Sequence, residues 1–404
     1  MPTAASRRWV WIVMAAASIA AIGMGLRQVM GLYMKPISMD LGVGRQAFSL
    51  AIAVANMVWG VAAPFVGAVS DRYGAGRVAV MGALATATGL FLTYAATSEA
   101  SLLLAGVFLG LGVAGAGVNS MVGAAARAAP PELRTQAIAA LGMGSGIGML
   151  IALPYTHLLI EYLGWKQSLL VLVGTALLIL PLAFAVAGKP VSPASNTQTL
   201  TLREGLSEAF RLPSYWLLNA GFFVCGFHVA FYATHLPAFV ADQNLDSKVA
   251  VIALTAVGVG NLIGTYLAGQ SARYFPKRYG LSAIYLGRAV LFAAFLVLPM
   301  TPLTVIVLSA LLGLLWLSTV PLTSGLVGTF FGPQWMTMLY GIVFLSHQVG
   351  SFLGVWTAGL LFDATKSYDL MWWISIALGI FAGLVHLPIR ERAVNRPAEA
   401  NSAA

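Results

Sequence analysis

The chain has 404 residues, 59% of them hydrophobic and only 9% charged, with a net charge of +9. A soluble domain carries about 25% charged residues, so a water-soluble globule is excluded and lipid is the implied solvent. A single cysteine, Cys225, rules out an internal disulfide and any cysteine-cluster metal site.

SRRWVWIVMAAASIAAIGMG opens on basic residues. Its apolar run is too long for a cleaved leader and continues through Arg27, so it reads as a retained first span. A helix needs about 20 apolar residues to cross a bilayer. Twelve segments qualify, at roughly 9–34, 47–69, 78–97, 101–124, 136–160, 167–187, 214–239, 249–271, 280–298, 302–330, 337–361 and 369–388. KPVSPASNTQTLTLREG separates the sixth from the seventh, and its Pro, Ser, Thr and Asn content marks a linker. The expected organisation is a six-helix bundle over 1–188, a cytoplasmic linker over 189–213, a second bundle over 214–390 and a cytoplasmic tail over 391–404.

Basic residues set the expected orientation. With both termini inside, fifteen of the 22 lysines and arginines fall on the inner side and five on the outer, leaving Arg27 and Arg288 within spans. That bias predicts cytoplasmic termini in a cell inner membrane. It accounts for the positive charge without a nucleic-acid partner. No acidic residue falls inside any of the spans as drawn.

An offset of 201 residues exposes a repeat. GLRQVMGLYMKP (25–36) lands on GFHVAFYATHLP (226–237), and SDRYG (70–74) lands on SARYF (271–275). Arg27 thereby matches His228, and Arg72 matches Arg273. Two six-helix halves in a parallel repeat are the expected architecture, with a substrate site between them near the midplane.

GAVSDRYGAGR (67–77) resembles the loop signature of the major facilitator superfamily, through Gly67, Asp71, Arg72, Gly74 and Arg77. Ala75 and Gly76 stand where that family usually has basic residues. The second copy keeps Arg273 but has Ala272 in place of the acid. The resemblance covers nearly the whole chain and implies an all-α membrane protein of twelve transmembrane helices in two pseudo-symmetric bundles. The loop is then expected to gate, by pairing with helix ends in one closed state. The fourth span, LLLAGVFLGLGVAGAG, lacks the arginine that proton-coupled members often carry there. In the fifth span, Gly142 with Gly146 and Gly144 with Gly148 are spaced to let helices approach closely. GLRQVMGLYMKPISMDLG, RAAPPELR and LSHQVGSFLG look most like the monocarboxylate porter and oxalate:formate antiporter branch.

Candidate substrate-binding residues follow from polar groups inside spans. Arg27 offers a planar donor fork suited to a carboxylate. In the seventh span, Cys225, His228, Tyr232 and His235 share one face, which is expected to line the cavity, with His228 opposite Arg27. Asn56 and Trp59 in the second span, and Tyr340, His347, Gln348 and Ser351 in the eleventh, form further candidate faces. Pro321 is expected to free backbone carbonyls in the tenth span. Arg288 is expected to snorkel to the inner surface. GLGVAG (110–115) lies within an apolar span with no strand before it, so it reads as helix packing and not as a nucleotide site. No phosphate loop, metal motif or cofactor is predicted.

The expected function is secondary active transport of a small organic anion, a mono- or dicarboxylate, by proton symport or anion exchange. The chain is expected to act as a monomer and not as an enzyme. A transporter of a larger amphipathic compound, a drug or metallophore, is the alternative.

Overall fold

The structure, a computed structural model, describes residues 4–130, 133–187, 202–332 and 336–394. Most of the expected linker and tail lies outside these residues, although the linker's end forms a helix of its own.

The described residues are helical almost throughout. The N-terminal half contains α1 (Ala4–Gln28), a 3-10 turn (Val29–Tyr33), α2 (Met34–Leu41), α3 (Arg45–Tyr73), α4 (Ala75–Tyr94), α5 (Glu99–Ala116), α6 (Val118–Ala128), α7 (Arg134–Leu177) and α8 (Ile179–Ala185). After α9 (Leu202–Arg211), the C-terminal half contains α10 (Pro213–Asp242), α11 (Ser247–Ser271), α12 (Lys277–Val297), α13 (Pro302–Leu314), α14 (Thr319–Phe331), α15 (Met336–Thr365) and α16 (Asp369–His386).

Among the described residues, eleven helical runs are long and apolar enough to cross a membrane. The run Gln136–Ala185 holds two crossings of the expected twelve. Its turning point is Gly164, at φ 79° and ψ 164°, a conformation that only glycine adopts cheaply. Local chemistry fixes other starts. Ser98 and Ser101 form a reciprocal cap on α5, and Thr301 accepts from the Thr304 amide at the start of α13. Trp11, Phe65, Phe184 and Val290 are exposed, as lipid-facing positions should be.

The repeat is visible in the packing. α1 lies on α7 as α10 lies on α15; α3 lies on α5 as α11 lies on α13; α4 lies on α8 as α12 lies on α16. The glycines of α7 do the work expected of one pair. A side chain on Gly144 would stand 2.8 Å from the Ala17 carbonyl, and Gly148 meets Ala21, so α1 approaches backbone to backbone. The other pair differs: Gly142 faces open space, and Gly146 faces Leu262 of α11. Glycines of GLGVAG pack too, with Gly110 against Ala55 and Gly112 against Thr86.

The halves meet along α3 with α15, α7 with α11, and the 3-10 turn with α10. The helices outrun the spans drawn from sequence. Asp242 therefore closes α10 and Asp363 sits in the last turn of α15, within the membrane-crossing runs.

Candidate functional site

Arg27 lies in the last turn of α1, where the α-helix tightens into the 3-10 turn. Gly31 in that turn brings its backbone against Ala233 and Thr234 of α10, at a junction of the two halves. The Arg27 side chain is half-buried. Its Nη2 donates to Asn56 Oδ1 at 2.9 Å, and the guanidinium lies 4.9 Å from the Trp59 ring centre. No carboxylate pairs with it among the described residues. Its remaining N–H groups are unspent.

Arg27, Asn56 and Trp59 line a narrow cleft with a volume of about 40 Å³. Its other walls are Leu26, Met30, Ile52, Leu109 and Val113 from the N-terminal half, and Ala230, Ala233 and Thr234 from the C-terminal half. Thr86 also lines it. Its hydroxyl is buried and has no hydrogen-bond partner. A mostly apolar lining with a few convergent donors is the composition of a small-molecule site, here in a narrow state.

A polar chain crosses between the halves from Asn56. The fully buried Gln348 donates through Nε2 to the Asn56 carbonyl at 3.1 Å, and its Oε1 lies 3.1 Å from His347 Nδ1. Ser351 Oγ donates to the Gly226 carbonyl at 3.3 Å, tying α15 to α10. Phe344 stacks on His347 at 5.8 Å and meets Trp59 edge-on at 5.2 Å. The structure thus brings Arg27, Asn56, His347 and Gln348 into one network, with only Arg27 and Asn56 reaching the cleft itself. Tyr340 stays farther off, against Phe222 at 6.2 Å.

The face expected on the seventh span is not a cavity face. His228 is buried and bonds through Nε2 to the Ser375 carbonyl of α16 at 2.9 Å, its ring edge-on to Phe292. Tyr232 pairs with Ser309 of α13 at 2.6 Å and sits among Phe295, Trp316 and Trp372. Both side chains turn into their own half, so the expected pairing of His228 with Arg27 does not form. The cause is that α10 is enclosed by protein on most of its circumference. A polar stripe can then be satisfied without any cavity.

His235 does reach the other half. Its Nδ1 is 3.0 Å from the Tyr368 hydroxyl, and its Nε2 is 3.0 Å from the Val355 carbonyl and 3.3 Å from Ser49 Oγ of α3. Tyr368 already accepts from Arg45 Nη1 at 2.9 Å, so its proton is free to go to His235 Nδ1. Burial raises the pKa of the Tyr368 phenol and keeps it protonated.

Arg45 is the centre of a latch that sequence reasoning missed. Its Nη1 and Nη2 grip Asp242 at 2.6 and 2.7 Å, a two-pronged bond from α3 to α10. Its guanidinium lies 3.7 Å over the Phe362 ring. Asp363 of α15 accepts from the Arg45 and Gln46 amides at 3.0 and 2.8 Å, capping the N-terminus of α3 from across the interface. Lys35 adds a looser contact to Asp242 at 3.5 Å. These contacts hold the halves together at the α2 end. Their partners lie 197 and 318 positions apart in the chain, beyond the reach of any local pattern.

Arg288 is a second correction. It does not snorkel: it is fully buried in α12. The tenth crossing breaks between α13 and α14, and Arg288 Nε and Nη2 donate to the freed Leu315 carbonyl at 3.1 and 2.7 Å. Nη2 also bonds the Trp316 carbonyl and lies 3.6 Å from Cys225 Sγ. On the other side of the break, the Leu317 amide donates to Asn261 Oδ1 of α11 at 2.9 Å. The charge thus faces helix-end carbonyls through Nε and Nη2, while Nη1 is buried without a hydrogen-bond partner.

At the termini end, Gly74 joins α3 to α4 at φ 96°, which explains a glycine there. Arg72 and Arg77 are exposed, Arg72 beside the Tyr73 ring, and Arg273 is exposed on the second copy. A side chain on Gly67 would meet open space. The Asp71 side chain lies outside the described residues. In the second half, Arg278 instead donates to the Ile389 carbonyl at 3.0 Å, and its amide donates to Glu391, holding the chain after α16.

No cluster of three or more metal-ligating side chains occurs among the described residues. The chain is 25% identical over 397 residues to the MFS-type transporter YcxA of Bacillus subtilis (strain 168), covering 94% of each chain. It is 25% identical to monocarboxylate transporter 11 of Mus musculus, over 89% of this chain and 83% of that one. In structure it is similar to a bacterial homologue of the human lysosomal transporter Spinster in an inward-facing, occupied conformation. The TM-score is 0.71 at 15% identity, over 95% of this chain and 94% of that one. The Major Facilitator Superfamily model matches residues 12–355, and the chain belongs to that superfamily of membrane transporters.

Proposed function

We propose that this transporter carries a small organic anion, a mono- or dicarboxylate, across the cytoplasmic membrane by alternating access. The observation that carries the reading is Arg27: a cation in a cleft between the halves, without a carboxylate partner among the described residues, and with donors left over. An anionic substrate supplies the missing charge and the missing acceptors. The relative named monocarboxylate transporter 11 points to the same class.

The bias of basic residues supports an orientation with the termini in the cytoplasm and the Arg45 latch outside. On this reading the latch holds the outer end shut, and the exposed Arg72, Arg77 and Arg273 loops belong to the gate at the inner end. Release of Asp242 and Asp363 from α3 is the outward-opening step. Proton symport and anion exchange both suit a site built on one arginine.

Counterflow in proteoliposomes tests the reading. A panel of organic acids, run with and without a pH gradient, should show saturable exchange of at least one small carboxylate. Stimulation by an inward proton gradient identifies symport, and indifference to it identifies exchange. Flux of amphipathic cations with none of any carboxylate would sink the proposal.

A further inference from the structure

The cleft is chemically lopsided. Most of its hydrogen-bonding side chains come from the N-terminal half: Arg27, Gln28, Asn56, Trp59 and the buried, unpartnered Thr86 hydroxyl, against Thr234 alone from the C-terminal half. Across from them, α10 presents Ala230, Ala233 and Thr234. The small residues are conspicuous in context, because α10 reads FHVAFYATHLP and is crowded with aromatic rings everywhere else. Phe231 packs on Trp372, and Tyr232 packs on Phe295 and Trp316, all within the C-terminal half. Helical spacing of three and four puts the two alanines and Thr234 on one face, toward the cleft.

Among the described residues, no second cation lines the cleft. Arg45 and Lys35 are bound to Asp242, and Arg288 is committed to the α13–α14 break. A second carboxylate on the substrate would therefore be desolvated against Leu26, Met30, Ile52 and Leu109 with nothing to pair it.

Resting on the transport reading above, we propose that Ala233, with Ala230 beside it, sets substrate selectivity, and that the cleft takes an anion with one carboxylate and a short apolar body. The carboxylate sits at Arg27, with Thr86 as an added donor. The body lies toward α10, where the alanine methyl groups limit its length and branching. Ala233 is the sharper determinant because it is half-buried at the cleft, whereas Ala230 is buried and packs with Ala53 and Val355.

Counterflow with unbranched monocarboxylates of increasing chain length, and with dicarboxylates of matched length, tests this on wild type, Ala233→Val and Ala233→Gly. Wild type should carry the monocarboxylates and discriminate at least tenfold against matched dicarboxylates. Each methylene that no longer fits should cost about 10-fold or more in transport. Ala233→Val should shift the cut-off to shorter chains, and Ala233→Gly to longer ones. The glycine variant removes atoms only, so it keeps the test sharp if the larger side chain disturbs the nearby Gly31 contact. Identical chain-length profiles in all three proteins would overturn the assignment of Ala233 while leaving the transport reading intact. Equal transport of mono- and dicarboxylates would overturn the single-carboxylate claim. Absence of flux for every carboxylate in wild type would overturn both readings together.

Discussion

Arg27 and Arg288, the two arginines within the spans drawn from sequence, lie one in each half and are used in opposite ways. Arg27 stands at a cleft, half-buried, with one hydrogen bond and donors to spare. Arg288 is fully buried, and its bonds go to the carbonyls of a broken helix. Insertion of either into hydrocarbon would cost about 2.5–3.5 kcal/mol. In Arg288 that cost is offset inside the fold, because the α13–α14 break would otherwise leave carbonyls unsatisfied in a dry environment. Nothing inside the fold offsets it fully for Arg27. A charge in a span therefore marks a ligand site only where its spare donors also face a cleft, as at Arg27, and not where they are sealed in the fold, as at Arg288 Nη1.

This contrast can be broken from several directions. The largest effect is expected at the structural arginine. Arg288→Leu strands the Leu315 and Trp316 carbonyls, and each buried acceptor left without a partner costs about 1–3 kcal/mol. The variant should fail to yield monodisperse protein on size-exclusion chromatography, while Arg27→Ala should elute normally. Next comes Arg27→Ala in transport. Loss of two charge-assisted bonds, about 3 kcal/mol, predicts about 100-fold weaker carboxylate flux. Arg27→Lys should recover part of it, since the point charge remains and the planar fork is lost.

A smaller shift is expected at the latch. Asp242→Asn removes the charge that Arg45 grips, and should expose a cysteine placed at Thr234 to impermeant alkylation from outside about 10-fold faster. The swap of Arg45→Asp with Asp242→Arg should restore protection. Trp59→Leu removes the ring beneath Arg27 and should weaken apparent affinity about two- to fivefold, the scale of an exposed cation–π contact. The smallest change belongs to His228. With its imidazole bonded to Ser375 and away from the cleft, His228→Asn should leave the pH profile of uptake unmoved. A shifted profile would return His228 to the transport path.

Much of the fold is legible in the sequence because the bilayer imposes it. Length and hydropathy give twelve crossings, and a single offset gives two halves, since both are properties of contiguous chain. The seventh crossing marks the limit. Cys225, His228, Tyr232 and His235 do share a helical spacing, but spacing cannot say what surrounds the helix. α10 is wrapped by neighbours, so its polar groups find Thr319, Ser375, Ser309 and Val355 instead of a cavity. The latch was illegible for another reason. Asp242 and Asp363 look like span-end acids in sequence, and only folding carries them to Arg45. Arg27 was legible because its oddity is local: an arginine in an apolar run, with no acid nearby to neutralise it.

The central claim is that Arg27 is the anion-binding group of the cleft. Counterflow of a labelled carboxylate that wild type carries, in proteoliposomes holding equal amounts of folded wild type and Arg27→Ala, tests it most directly. The account predicts saturable flux in wild type and about a hundredfold loss in the variant. Wild-type flux through Arg27→Ala would contradict it.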